Sequence, residues 1–177
     1  MKSNVIKSMF FYLGILFMLV SGVASANHLA QFWSPFTSEE YPPLTSPNRY
    51  LVNRMQCTGS FCDNVRIQNI LTSRTYNHSY WSSFFSEEGS GSGLNQRICT
   101  SSSEFMTGIA CKGGYCDNVS IQCTQLLGSS RSSCYWTASF SEEQVYSEPV
   151  PAGYYAAGLR CLGSNCDNKQ IYMCRLL

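Results

Sequence analysis

Charge is scarce in this sequence: lysine, arginine, aspartate and glutamate together make up 13% of its 177 residues, and histidine occurs twice. No long basic run is present, which argues against nucleic acid as a partner, because neutralising phosphates takes clustered lysine and arginine. No H-E-x-x-H, G-x-S-x-G or phosphate-binding loop occurs, so the common hydrolase and nucleotide signatures are missing. C-x2-C spacing is absent as well. That disfavours zinc ribbons and thioredoxin-like redox pairs, which remain the competing readings of the cysteines. Beyond residue 26 no apolar periodicity of 3.6 runs long enough for a helix.

Long apolar runs are limited to one, residues 9–20. It follows Lys2 and Lys7 and precedes Ala24-Ser25-Ala26, the small-x-small pattern of a cleavage site. Residues 1–26 therefore read as a signal peptide. The run is short for a membrane span of about 20 residues, so a retained anchor is the weaker reading. The mature chain, residues 27–177, is expected to be secreted or periplasmic, with no membrane span after processing. Without Lys2 and Lys7, ten basic residues face eleven acidic ones.

Cysteine, aromatic residues and serine are plentiful. All ten cysteines lie in the mature part, and an even count in an exported chain implies disulfides.

The mature chain repeats itself three times. One block starts at tryptophan and ends in Ser-Glu-Glu: W-S-P-F-T-S-E-E at residues 33–40, W-S-S-F-F-S-E-E at 81–88 and W-T-A-S-F-S-E-E at 136–143. A second block follows: C-T-G-S-F-C-D-N-V-R-I at 57–67, C-K-G-G-Y-C-D-N-V-S-I at 111–121 and C-L-G-S-N-C-D-N-K-Q-I at 161–171. The repeats span about residues 31–72, 79–127 and 134–177.

Each Cys-x-Gly-x-x-Cys segment is too short for a regular element and carries glycine at its tip. It reads as a tight turn closed by its own disulfide, Cys57–Cys62, Cys111–Cys116 and Cys161–Cys166. Of the remaining four cysteines, Cys99–Cys123 and Cys134–Cys174 each lie within one repeat and are the expected long-range pairs. Met55, Ile109 and Leu159 stand two residues before the first cysteine, and Leu51, Phe105 and Tyr155 six before it. That even spacing predicts one face of a strand. Each repeat reads as two hairpins, one opened by the tryptophan block and one turned by the cysteine block. The fold class is all-β, a disulfide-rich domain with three-fold pseudo-symmetry. A β-prism is favoured, and a β-trefoil is the alternative, whose usual Gln-x-Trp signature stands at residues 31–33 but does not recur at Trp81 or Trp136.

The pattern G-x-x-C-x-G-x-Y-C-D-N-x-x-I-x-C at residues 108–123 resembles motifs of the three-repeat β-prism modules appended to bacterial pore-forming proteins of the membrane attack complex/perforin class. The resemblance implies a module for attachment to a target surface. It would be free-standing here, since the chain leaves no room for a pore-forming domain.

Nine of the eleven acidic residues fall in the repeated blocks. The candidate ligand-binding residues are Glu39, Glu40, Asp63 and Asn64, then Glu87, Glu88, Asp117 and Asn118, and finally Glu142, Glu143, Asp167 and Asn168. Carboxylates and amides suit vicinal sugar hydroxyls and an aromatic face suits a pyranose ring, so three weak sites would act through avidity. Calcium is conceivable where oxygen ligands cluster. The competing reading makes these residues structural: Asx-turns at Asp-Asn, glutamates solvated or paired along a strand, and Trp33, Trp81 and Trp136 in the core. His78 is placed in a linker, residues 72–79, of loop composition.

The expected function is a binding module for a cell-surface glycan. A protein–protein module, such as a toxin accessory subunit or inhibitor binding a surface protein, is the alternative. A glycosidase-like enzyme is the third reading, weakened because a catalytic carboxylate pair occurs once rather than three times.

Overall fold

The computed structural model describes residues 30–88, 93–143, 147 and 149–177. The signal peptide read at residues 1–26 lies outside them. The described chain is all-β, with eleven strands and three single-turn 3-10 segments. Among the described residues no helix is long and apolar enough to cross a membrane.

Three long hairpins organise the chain. The first joins β3 (Tyr50–Thr58) to β4 (Asn64–Leu71), the second β7 (Glu104–Lys112) to β8 (Asn118–Leu126), and the third β10 (Tyr154–Leu162) to β11 (Asn168–Leu176). Valine, isoleucine and aromatic residues favour this extended backbone. Each hairpin is turned by one cysteine segment, and the five disulfides are Cys57–Cys62, Cys99–Cys123, Cys111–Cys116, Cys134–Cys174 and Cys161–Cys166.

The tryptophan segments form no hairpins of their own. They are β1 (Gln31–Trp33), β5 (Tyr76–Trp81) and β9 (Arg131–Trp136), and each adds antiparallel to the second strand of its own unit's hairpin. His78 accordingly lies in β5, not in a linker loop. The polar stretch Asn77-His78-Ser79 is tolerated because β5 is a sheet edge with exposed side chains. The Ser-Glu-Glu residues lie in turns rather than on a strand, so the two glutamates do not alternate between sheet faces.

The remaining strands cross between units. β2 (Leu44–Thr45), from the first unit, pairs with β7 of the second, and β6 (Gln96–Ile98), from the second, pairs with β10 of the third. Ser147 of the third unit completes the series. Its N–H donates to the Met55 carbonyl at 3.0 Å, its hydroxyl accepts the Met55 N–H at 3.1 Å, and its carbonyl accepts the Arg54 guanidinium at 2.9 Å. Gly108 and Gly158 sit where this exchange brings backbones together. A Cβ at Gly108 would lie 2.5 Å from the Leu44 carbonyl oxygen, and one at Gly158 would lie 2.7 Å from that of Arg97.

β3, β7 and β10 touch one another pairwise, and the core fills the space between them. Val52, Met55, Ile67, Met106, Ile109, Ile121, Leu159, Ile171 and Met173 belong to one fully buried cluster. Leu51, Phe105 and Tyr155 pack in a second. The two sets expected on a single face are thus divided. The register shifts between Val52 and Arg54, Met106 and Gly108, and Ala156 and Gly158, and an inserted residue breaks simple alternation.

Candidate functional site

The three turns are Ser60–Cys62, Gly114–Cys116 and Ser164–Cys166, and they contact each other at one end of the hairpins. Each begins at a glycine with positive φ, 80° at Gly59, 81° at Gly113 and 72° at Gly163, where an L side chain is strained. The next left-handed positions are not glycine. Phe61, Tyr115 and Asn165 have φ of 56°, 61° and 55°, and the following cysteines are also positive.

The repeated carboxylates converge on these turns, although about 20 to 30 residues separate the blocks. Glu142 accepts the N–H of Phe61 at 3.3 Å, and Glu87 accepts that of Asn165 at 2.6 Å. Glutamates of the third and second units thus tie down the turns of the first and third. In the first unit, Glu39 and Glu40 face Asp63 instead. Partial burial, followed by those two negative neighbours, pushes the Asp63 carboxyl up from its ordinary value. Glu40, Glu88 and Glu143 are exposed.

Each Asp-Asn pair is engaged with itself. The side-chain amide of Asn64 donates to Asp63 at 3.2 Å, that of Asn118 to Asp117 at 2.8 Å and that of Asn168 to Asp167 at 2.9 Å. All six residues are half-buried, leaving the aspartates partly open to solvent. Among the described residues no group of three or more His, Cys, Asp or Glu is arranged to hold a metal ion.

Aromatic rings crowd the same end. Phe61 and Tyr115 are 39% and 48% exposed, and their rings meet edge to face with centroids 5.2 Å apart. Phe84 is exposed too, with the Lys112 ammonium 5.7 Å from its ring. The tryptophans, expected in the core, are not there. Trp33 and Trp136 are half-buried and Trp81 is exposed. They lie along the sheets, with the Arg66 guanidinium 4.9 Å from the Trp33 ring and that of Arg160 4.1 Å from the Trp136 ring.

One participant was not singled out from sequence. Lys169 is fully buried where the other units place Val65 and Val119. Its ammonium donates to the Cys166 carbonyl at 2.5 Å. Burial lowers its pKa to about 8, while Asp167, Glu142 and Glu87 oppose that shift. The only sequence signal was a lysine replacing valine in an otherwise matching D-N-x-x-I block.

The arrangement offers rigid, solvent-facing aromatic rings beside carboxylates and amides. Comparison with family models, curated proteins and solved structures gives no significant match.

Proposed function

We propose that this is an exported binding module that attaches to a surface glycan through the end of the molecule where its three turns meet. In this reading the chain is secreted or periplasmic. Its three units close around a pseudo-three-fold axis as a β-prism, and the resemblance to the prism modules of membrane attack complex/perforin-type proteins reflects a shared attachment role. The cyclic handing-on of segments between units supports the closed arrangement. An experimental structure would test it by superposing the three turns under rotations near 120°. A linear stack of turns would refute it.

The observation that carries the glycan reading is the pairing of exposed Phe61 and Tyr115 with carboxylates and amides on a disulfide-fixed backbone. A ring face stacks on the apolar side of a pyranose, and the polar groups take its hydroxyls. Binding fits better than hydrolysis, because Glu87 and Glu142 are already committed to backbone N–H groups.

The test is a glycan array probed with residues 27–177 produced in an oxidising compartment. Selective glycan retention is expected. No retention on any glycan, with capture of a specific surface protein instead, would replace this reading by the protein–protein one.

A further inference from the structure

We infer that the turn end holds one glycan site rather than three, centred on Phe61 and Tyr115, and that its ligand is a glycan carrying free amino groups. This inference rests on the glycan reading above and narrows it.

The first support is a departure from repetition. Phe61, Tyr115 and Asn165 hold the same place in three turns with nearly the same left-handed backbone. Asparagine enters that region readily, whereas phenylalanine and tyrosine do so at a conformational cost. The third unit builds its turn with Asn165, so the fold does not require a ring there. The rings at Phe61 and Tyr115 are 39% and 48% exposed, so burial returns only part of that cost, and their edge-to-face contact offsets a further part. Strained, exposed aromatic residues held by a disulfide-closed backbone are better accounted for by a ligand than by folding.

The same asymmetry recurs beside the turns. Three residues after each tryptophan stand Phe36, Phe84 and Ser139. Phe36 and Phe84 are exposed, so the first two units present rings at both positions and the third presents neither. The apolar surface therefore belongs to the first and second units.

Charge complementarity selects the ligand class. Nine carboxylates lie in the three turn blocks and the three Ser-Glu-Glu segments. Against them stand three cations in the same blocks: Arg66, held over Trp33 and Phe36, Lys112, held over Phe84, and Lys169, fully buried. Asp63 flanks Phe61 in the same turn, and Glu39 and Glu40 face Asp63. A sulfated or carboxylated glycan would meet like charge here. A sugar whose ammonium sits at the ring edge while its apolar face covers Phe61 or Tyr115 meets opposite charge and an aromatic face together.

The experiment compares three probes by isothermal titration at pH 6: a β-1,4-glucosamine hexamer, the N-acetylglucosamine hexamer that is its neutral counterpart, and heparin. The expected result is one glucosamine hexamer per chain, bound at least tenfold tighter than the N-acetylated form and weakened by added salt, with no heparin binding. Phe61→Asn and Tyr115→Asn, which copy the third unit, should each lower affinity at least tenfold with the melting temperature unchanged. Asn165→Ala should leave affinity unaltered.

Three equivalents bound, or unchanged affinity in both aromatic variants, would overturn the single site. Equal binding of the two hexamers, or preference for heparin, would overturn the charge class while leaving the glycan reading intact. Failure of all three probes alongside a positive neutral glycan on the array would do the same. A silent array would remove the parent reading, and lysine-rich peptide binding at Phe61 and Tyr115 without any glycan binding would assign the surface to a basic protein.

Discussion

Replacing Lys169 by methionine tests what holds the turn end together. A buried lysine is costly because water no longer solvates its ammonium. Here the pKa is lowered from 10.5 to about 8, and the sign of the linkage follows. The unfolded chain keeps this proton up to about pH 10.5 and the folded chain releases it near pH 8. Between those values the unfolded state binds more protons, so stability rises with pH; below pH 8 the full penalty applies. At about 1.4 kcal/mol per pKa unit, the penalty is about 3 kcal/mol. Methionine removes it and also loses the bond to the Cys166 carbonyl, worth about 1 kcal/mol. Lys169→Met is therefore expected to be more stable by about 2 kcal/mol at pH 7, with the gap closing by pH 9.5. Urea unfolding with disulfides intact, at half-unit intervals from pH 7 to 9.5, measures this. Staying below pH 9.5 keeps Tyr76 and Tyr155 out of play, since burial raises both phenols above their ordinary value of 10. A variant less stable than wild type at pH 7, or a gap that does not change with pH, would show that the ammonium and its carboxylate neighbours are a net support.

Other positions give sharper local tests. Gly108→Ala places a methyl against the Leu44 carbonyl and should cost about 2–3 kcal/mol, read as a lower urea midpoint; an unchanged midpoint would mean that β2 is held loosely. Glu87→Gln weakens the charge-assisted bond to the Asn165 N–H and should cost about 1 kcal/mol, checked by thermal melting, whereas the exposed Glu88→Gln should be neutral. Removing the Cys134–Cys174 bridge by a double alanine substitution should cost about 2–4 kcal/mol, and a melting temperature unchanged under non-reducing conditions would count against its contribution.

The two repeated blocks were legible because their chemistry is local. A glycine between two cysteines five residues apart leaves few backbone geometries, and valine, isoleucine and aromatic residues around it favour strands. The segments that pass between units share no motif: Leu44–Thr45, Gln96–Ile98 and Ser147 contribute backbone hydrogen bonds, which do not depend on side-chain identity. Their only trace in the sequence is indirect, in Gly108 and Gly158, whose missing Cβ makes room for a neighbouring backbone. The tryptophans were misplaced for a related reason. Size and aromaticity favour the core, but each sits on a strand added outside a hairpin, where an arginine such as Arg66 or Arg160 can cover its ring. The convergence of Glu142 and Glu87 on neighbouring turns was open to expectation only as a geometric demand, since 81 and 78 residues separate them from Phe61 and Asn165.

The passing of segments from unit to unit also constrains the order of events during synthesis. As the chain emerges from its N-terminus, the first hairpin can form early, but the edge of β3 stays open until Ser147 arrives, some ninety residues after Met55. Native contacts of such long sequence separation raise contact order and slow folding. Until the third unit is made, the first sheet exposes unpaired N–H and C=O groups, the surface on which nascent β-proteins aggregate. A chain stopped after the second unit would give away its segments and receive none for its first sheet. Completion of the third unit therefore finishes the first.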